Sequence, residues 1–392
     1  MDTLGHMNWN YPTSIRFGAG RIKELPQICL DLGMKNPLLI TDQSLGQLSI
    51  TQTALDACEV AKLPCGLFTD IQPNPIEENV TAGVIAYHEG KHDGVIAFGG
   101  GSALDGAKAI ALMVGQNRPL WDFEDKEDWY TRVNVSGMAP VVAVPTTSGT
   151  GSEVGRCSVI TDIRDETKKI IFHPKMLPSV VILDPLLTIG LPAKITAAVG
   201  MDALSHNLEA YFSPLYHPMA DGISIEGAKL AQRYLLRAVN NGSDVEARAQ
   251  LLVASTMGAT AFQKGLGAMH SVSHPCGAIL HTHHGLTNAV MMPYVLEFNR
   301  KYIADKAIEL ASALHLKSHS LSAVIDWTLE LRESIGIPHT LAELGVTDEY
   351  IERLTKGALV DPTASTNPRK LEYDNVSTLI EHAIVGDLVI KH

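Results

Sequence analysis

Four short apolar runs in the first half of the chain set the strongest limit on its fold: PLLITD (37–42), GVIAFGGG (94–101), APVVAVPTT (139–147) and SVVILDP (179–185). Each is brief, rich in β-branched residues and followed at once by turn residues. A run that is apolar at consecutive positions suits a strand covered on both faces, and such strands belong to parallel sheets flanked by helices. The segments between them, TQTALDACEVAKL and EENVTAGVIAYHEGK among others, have helical spacing and length. Residues 1–189 are therefore expected to form an α/β domain.

After LPAKITAAVG the pattern changes. ISIEGAKLAQRYLLRAVNN, EARAQLLVASTMGATAFQ, RKYIADKAIELASALH and SLSAVIDWTLELRESIG are amphipathic at helical spacing, with no strand pattern between them. Residues 190–392 read as an all-α domain, and TIGLPAK (188–194), which holds Gly and Pro, marks the seam. A length of 392 residues with 45% apolar and 19% charged side chains suits two globular domains, each with its own core.

Composition excludes some classes of partner. Net charge is −12 and no Lys- or Arg-rich block appears, so nucleic acid is not an expected partner. No apolar run reaches the roughly 18–20 residues of a membrane span, and MDTLGHMNWN lacks the basic start and apolar core of a signal peptide. A soluble cytoplasmic protein is expected. Five cysteines, odd in number and without a CxxC pair, read as reduced thiols.

Two turns carry the first chemical signal. AFGGGSALDGAKAIAL joins a strand to a helix through Gly99, Gly100, Gly101 and Ser102. Glycines admit close backbone approach, and a helix N-terminus offers unpaired N–H groups to a pyrophosphate. Ser102 is the expected N-cap there, with Asp105 completing a capping-box-like pair. A tight turn without a ligand would read the same way. PTTSGTGSE (145–153) adds a second glycine- and hydroxyl-rich turn after a strand, and open α/β sheets bind ligands at such strand ends. Asp42, after the first run, could accept from ribose hydroxyls and repel a 2′-phosphate, favouring NAD over NADP, or could equally cap a helix.

The second signal is imidazole. GLGAMHSVSHPCGAILHTHHG (265–285) holds five histidines: His270, His274, His281, His283 and His284. GMDALSHNLEA places Asp202 and His206 four apart, and MHSVSH repeats that spacing with His270 and His274, so each pair shares a helix face. A carboxylate with several imidazoles suits a divalent first-row metal. The spacing leaves open which four are ligands.

GGGSALDGAKA, PTTSGTGSE, GMDALSHNLEAY, the His270–His284 segment and STNPR (365–369) occur in an order that resembles the iron-dependent (group III) alcohol dehydrogenase family along nearly the whole chain. The resemblance implies a Rossmann-like dinucleotide-binding domain, an α-helical metal-binding domain and an active site in the cleft between them. It assigns the metal to Asp202, His206, His270 and His284, and it places His274 near the nicotinamide, where it would relay a proton or pack on the ring. It leaves His281 and His283 as supporting or surface residues. On the cofactor side it matches Asp42 with NAD preference, Asn74 with the adenosine ribose, Gly99, Gly100, Gly101 and Ser102 with the pyrophosphate, and Thr146, Thr147 and Lys168 with further cofactor contacts. It favours Fe(II), although three imidazoles and a carboxylate suit Zn(II) as well.

The activity implied is NAD-linked interconversion of a small alcohol or diol and its aldehyde or ketone, by a homodimer or larger homo-oligomer. Three departures bear on substrate identity. His283 stands where many relatives have proline before the last ligand, AFQKG (261–265) replaces a common Phe-Ser-Asn, and Thr363 takes the place of a pocket cysteine. A glycerol-type polyol dehydrogenase is the nearest alternative. A lyase resembling dehydroquinate synthase would need a cluster of Lys and Arg for its anionic substrate, and only Lys264 lies close to the histidine segment. A binding protein without turnover would bind the nucleotide and reduce none of it.

Overall fold

The computed structural model describes Tyr11 and residues 13–388. These divide into two compact units, Tyr11–Gly190 and the chain from Leu191 onward.

In the first unit the four apolar runs become β2 (Leu38–Asp42), β4 (Val95–Gly99), β5 (Val141–Pro145) and β8 (Val180–Leu183). With β1 (Ser14–Phe17) and β3 (Gly66–Ile71) they make a six-stranded sheet in the order β1-β8-β5-β4-β2-β3. Every neighbouring pair is parallel, in registers such as Leu38↔Val95 and Val95↔Val141. Strands β4 and β5 are buried at every residue, which is why they read as unbroken apolar runs.

Helices α1 (Leu25–Asp31), α2 (Gln43–Gly46), α3 (Ser49–Val60), α4 (Glu77–Glu89) and α5 (Gly101–Met113) provide much of the connecting structure. Leu25, Cys29, Ala54 and Cys58 from α1 and α3 pack with Leu39, Ile96, Phe98, Val142 and Ile182 of the sheet in one core. The strand order reverses between β2 and β4. This is the doubly wound arrangement whose switch point opens a crevice at the carboxyl ends of those two strands. A separate antiparallel hairpin, β6 (Cys157–Asp162) with β7 (Thr167–Phe172), stands outside the parallel sheet.

The second unit contains α6 (Ala193–Phe212), α7 (Pro218–Asn240), α8 (Val245–Ala261), α9 (Ala268–Leu280), α10 (His284–Phe298), α11 (Arg300–Ala313), α12 (Leu321–Ser334), α13 (Ile351–Val360) and α14 (Tyr373–Val385). No strand occurs among its described residues. Met201, Leu204 and Leu208 of α6 share a core with Val272 and Cys276 of α9 and Met291 and Tyr294 of α10. The fully buried Arg248 fixes the start of α6, donating to Thr196 Oγ1 at 2.7 Å and to the Leu191 carbonyl at 3.0 Å. Among the described residues no helix is long and apolar enough to cross a membrane.

Candidate metal centre and cofactor turns

Helix α6 is buried at most positions, so its polar residues need partners inside the fold. Asp202 is 2% exposed and His206 is 4% exposed, one turn apart on the face toward α9 and α10. His270 comes from the first turn of α9, and His284 is the first residue of α10. One ligand-type atom from each of these four side chains lies within 4.8 Å of the other three. The His206 and His270 rings stack at 4.7 Å between centroids.

Close approach of α10 to α6 depends on Gly285. A Cβ there would meet the Ala198 carbonyl oxygen at 2.6 Å and Asp202 Cβ at 2.8 Å. The remaining histidines of HTHHG punctuate the helices: His281 ends α9 at φ 56°, and His283 caps α10 by accepting from Leu286 N–H at 3.3 Å. STNPR serves the same positioning. Asn367 Oδ1 accepts from Ala268 N–H at 3.1 Å, capping the helix that carries His270, and also from Asn299 at the end of α10.

Three residues complete the site that sequence reasoning did not single out. Glu209 accepts from His270 Nδ1 at 2.6 Å and from Met269 N–H at 2.7 Å. That fixes the His270 tautomer and leaves Nε2 as a lone-pair donor to a metal, the usual office of a carboxylate behind a liganding imidazole. Glu209 follows Asp202 and His206 at i+7 and i+3, so its place on their helix face was visible in GMDALSHNLEA.

Asn288, one turn into α10, brings Nδ2 to 2.9 Å from Asp202 Oδ1 and to 3.2 Å from both His270 Nε2 and His284 Nε2. Three acceptors gathered about one amide nitrogen and its two N–H groups place the lone pairs of the set toward a common point. Their chemistry therefore fits a divalent cation.

Asp361 accepts from His274 Nδ1 at 2.7 Å. Its other oxygen accepts from Thr363 N–H at 2.9 Å and from Thr363 Oγ1 at 2.6 Å, and Thr363 Oγ1 stands 3.0 Å from Ser271 Oγ. Burial alone would raise the Asp361 carboxyl, but the charge and hydrogen bond of His274, with the Thr363 donors, hold it below the ordinary aspartate range. The His274 ring stacks on His284 at 5.4 Å and meets His270 edge-on at 5.8 Å. His274 thus sits beside the four-residue set, with its Nδ1 side engaged. Phe262 closes another side, edge-on to His206 at 5.2 Å.

The other residues selected from sequence lie in the first unit, and all but Lys168 stand at or after the carboxyl ends of parallel strands. Gly99 has φ +140°, and a Cβ there would come within 2.8 Å of Ala103 Cβ, so the turn into α5 requires glycine. Gly100, not Ser102, is the N-cap of α5. Ser102 Oγ instead accepts from Asn74 N–H at 3.3 Å, tying the loop after β3 to the glycine turn. Asp105 also departs from the capping-box expectation. It accepts from Ser152 Oγ at 2.5 Å and Val159 N–H at 3.0 Å, and pairs with the buried Lys108 at 3.3 Å. The carboxylate has stronger donors in the second turn and the hairpin than its own helix end offers.

Thr146 N–H donates to the Gly99 carbonyl at 2.9 Å, and Thr147 lies against Gly100. Asp42 caps α2, accepting from Leu45 N–H at 2.9 Å. Lys168 sits on β7 opposite Thr161, which bridges to Ile76 beside the Asn74 loop. Its neighbour Lys169 is engaged by Asp162 at 2.5 Å and Asp165 at 3.0 Å.

Comparison with known proteins bears on this arrangement. Residues 12–185 match the family model described as iron-containing alcohol dehydrogenase, and residues 196–384 match the C-terminal model of the Fe-containing alcohol dehydrogenase family. The chain is 38% identical to the 4-hydroxybutyrate dehydrogenase of Cupriavidus necator over 95% of its own length and 99% of that protein's. It is 35% identical to the NAD-dependent methanol dehydrogenase of Bacillus methanolicus over 96% of its length and 100% of that protein's. A crystal structure of 1,3-propanediol oxidoreductase, 32% identical, superposes with a TM-score of 0.92 over 97% of this chain and 100% of that one. Family models across both units, full-length relatives and the gathered Asp/His set agree: the chain belongs to the iron-containing alcohol dehydrogenase family, oxidoreductases acting on CH–OH groups.

Proposed function

We propose that the chain is an NAD-linked dehydrogenase interconverting a small primary alcohol or diol and its aldehyde, with Asp202, His206, His270 and His284 holding one divalent ion, Fe(II) ahead of Zn(II). The observation that carries this reading is the convergence of those four side chains from α6, α9 and α10. The relatives act, by their names, on 4-hydroxybutyrate, methanol and 1,3-propanediol, each a small molecule with a terminal hydroxyl. When bound, the ion supplies Lewis acidity toward a hydroxyl oxygen and the nicotinamide accepts the hydride.

The chain's residues supply position and proton handling. Glu209 orients His270, and Ser273 Oγ stands 3.2 Å from His284 Nδ1, so both imidazoles turn Nε2 to the centre. Asp361 accepts the Nδ1 proton of His274, which leaves His274 Nε2 as a base able to take the hydroxyl proton. Residues 1–189 would carry the cofactor, with the N–H groups at the start of α5 on the pyrophosphate, Asn74 at the adenosine ribose and Lys168 near the cofactor. Thr146 and Thr147 line the second turn. Asp42 uses one oxygen as a helix cap, and its second would accept from ribose hydroxyls. Residues 190–392 would carry the metal, and the assembly is a homodimer or larger.

The lyase alternative needs cations free to hold an anionic substrate. Lys264 is buried, and its ammonium is committed to Asp221 and to the Tyr211 carbonyl at 3.0 Å.

Asp202→Ala and His270→Ala test the ligand set. Each is expected to lose bound metal, measured by elemental analysis, and alcohol-dependent NADH formation, while the Kd for NAD stays as in the parent. Full metal content in both variants would refute the assignment.

A further inference from the structure

The Asn288 amide is a neutral polar group placed among the proposed ligands, and both of its ends carry information. Its side chain is fully buried. Nδ2 is within hydrogen-bond distance of Asp202 Oδ1, His270 Nε2 and His284 Nε2, whereas Oδ1 is buried with no hydrogen-bond partner among the described residues. A buried amide oxygen left in that state is costly, so something must offset it.

The lone pairs explain the orientation. His270 gives its Nδ1 proton to Glu209, and Ser273 stands at His284 Nδ1, so both Nε2 atoms act as acceptors, as does Asp202 Oδ1. Without a cation three acceptors would face one another, and the N–H end of Asn288 is the group that relieves them. With a cation among them the same N–H end would aim its protons at positive charge. A half-turn of the amide then exchanges the ends and presents Oδ1, an oxygen donor suited to a hard or borderline divalent ion.

We propose that Asn288 is a working part of the metal centre: its N–H end holds the ligand set together when metal is absent, and its carbonyl oxygen faces the ion when metal is present. The inference rests on the four-ligand reading above. It adds to that reading a residue that sets both the ease of metal entry and the strength of metal retention. It also gives the buried orphan oxygen a partner.

Cobalt(II) is the probe, because its visible absorption reports coordination directly and its affinity can be read by competition with a chelator, neither of which requires turnover. Asn288→Ala is expected to weaken cobalt(II) binding by about 10- to 100-fold, the range for residues that support a metal centre, and to shift the visible bands. Asn288→Asp keeps the shape but loses the N–H end. Its metal-free form is expected to melt below the metal-free parent, and cobalt(II) should raise its melting temperature by more than it raises the parent's. Parent-like affinity and bands in Asn288→Ala would overturn the proposal. So would a metal-free Asn288→Asp protein that melts with the parent, and this second variant decides the matter if the alanine protein does not fold. Failure of the parent itself to bind cobalt(II) would instead refute the four-ligand reading, and this inference with it.

Discussion

Asp361 is the residue on which the proton chemistry turns. Its contact with His274 Nδ1 selects one tautomer, and only that tautomer keeps Nε2 free to accept a proton. In Asp361→Asn the amide can offer N–H to Nδ1 and drive the proton to Nε2. The expected result is a kcat lowered by about 100-fold, at the lower end of general-base contributions, with metal content and the Kd for NAD unchanged. An unaltered kcat would reduce His274 to a packing residue. Asp42 is a second single-residue test. Asp42→Ser keeps a capping oxygen for Leu45 N–H but removes the charge, so the ratio of kcat/KM for NADP to that for NAD should rise by about tenfold, equivalent to about 1.4 kcal/mol.

At this scale legibility followed distance along the chain. Asp202 with His206 and His270 with His274 announced themselves by one-turn spacing, and Glu209 could have been added on the same face. Asp361 could not, since its partner lies 87 residues away; Asn288 stands one turn from His284 and could have been added on that face, although its reach of 86 residues to Asp202 is not legible locally.

Among the elements, the α5 helix is held by more than its own turns. Asp105 joins it to Ser152 in the second turn and to Val159 in the β6–β7 hairpin, and it balances Lys108, whose side chain is 1% exposed. Among the described residues, the hydrogen bonds of Lys108 Nζ go to the carbonyl oxygens of Ser152 and Cys157. Asp105→Ala therefore leaves a buried ammonium without its counter-charge. It should cost about 3 kcal/mol or more, measured by denaturant unfolding, with cofactor affinity falling in parallel because both glycine turns lose their shared clamp. A loss within about 0.5 kcal/mol would show the network to be ornamental.

The elements that the sequence reading missed share a physical cause. β1 and β3 lie at the sheet edges and are exposed at several positions, and β6 alternates buried with half-buried residues. Continuous apolar runs identify strands covered on both faces, and these three are not covered that way. The long amphipathic helices of the second half were legible because each buries one broad stripe. The N-cap of α5 was misplaced because Ser102 had a better use in receiving the Asn74 loop.

For the molecule as a whole, two chemistries are assigned to two stretches of chain. The proposed cofactor contacts all fall within Tyr11–Gly190, and the proposed metal ligands all fall after Leu191. Removing the metal should therefore leave NAD binding largely intact while abolishing turnover. Metal restored at 100 times its Kd should add about 2.7 kcal/mol to the stability of the folded protein. The measurement that bears most directly on the central claim is NAD⁺ reduction, followed by absorbance, with short alcohols and diols. It is run on chelator-stripped protein and on aliquots restored anaerobically with Fe(II) or Zn(II). The account predicts no NADH from the stripped protein and its return when the ion is restored, with Fe(II) at least as effective as Zn(II). Undiminished NADH formation by protein shown to hold no metal would contradict it.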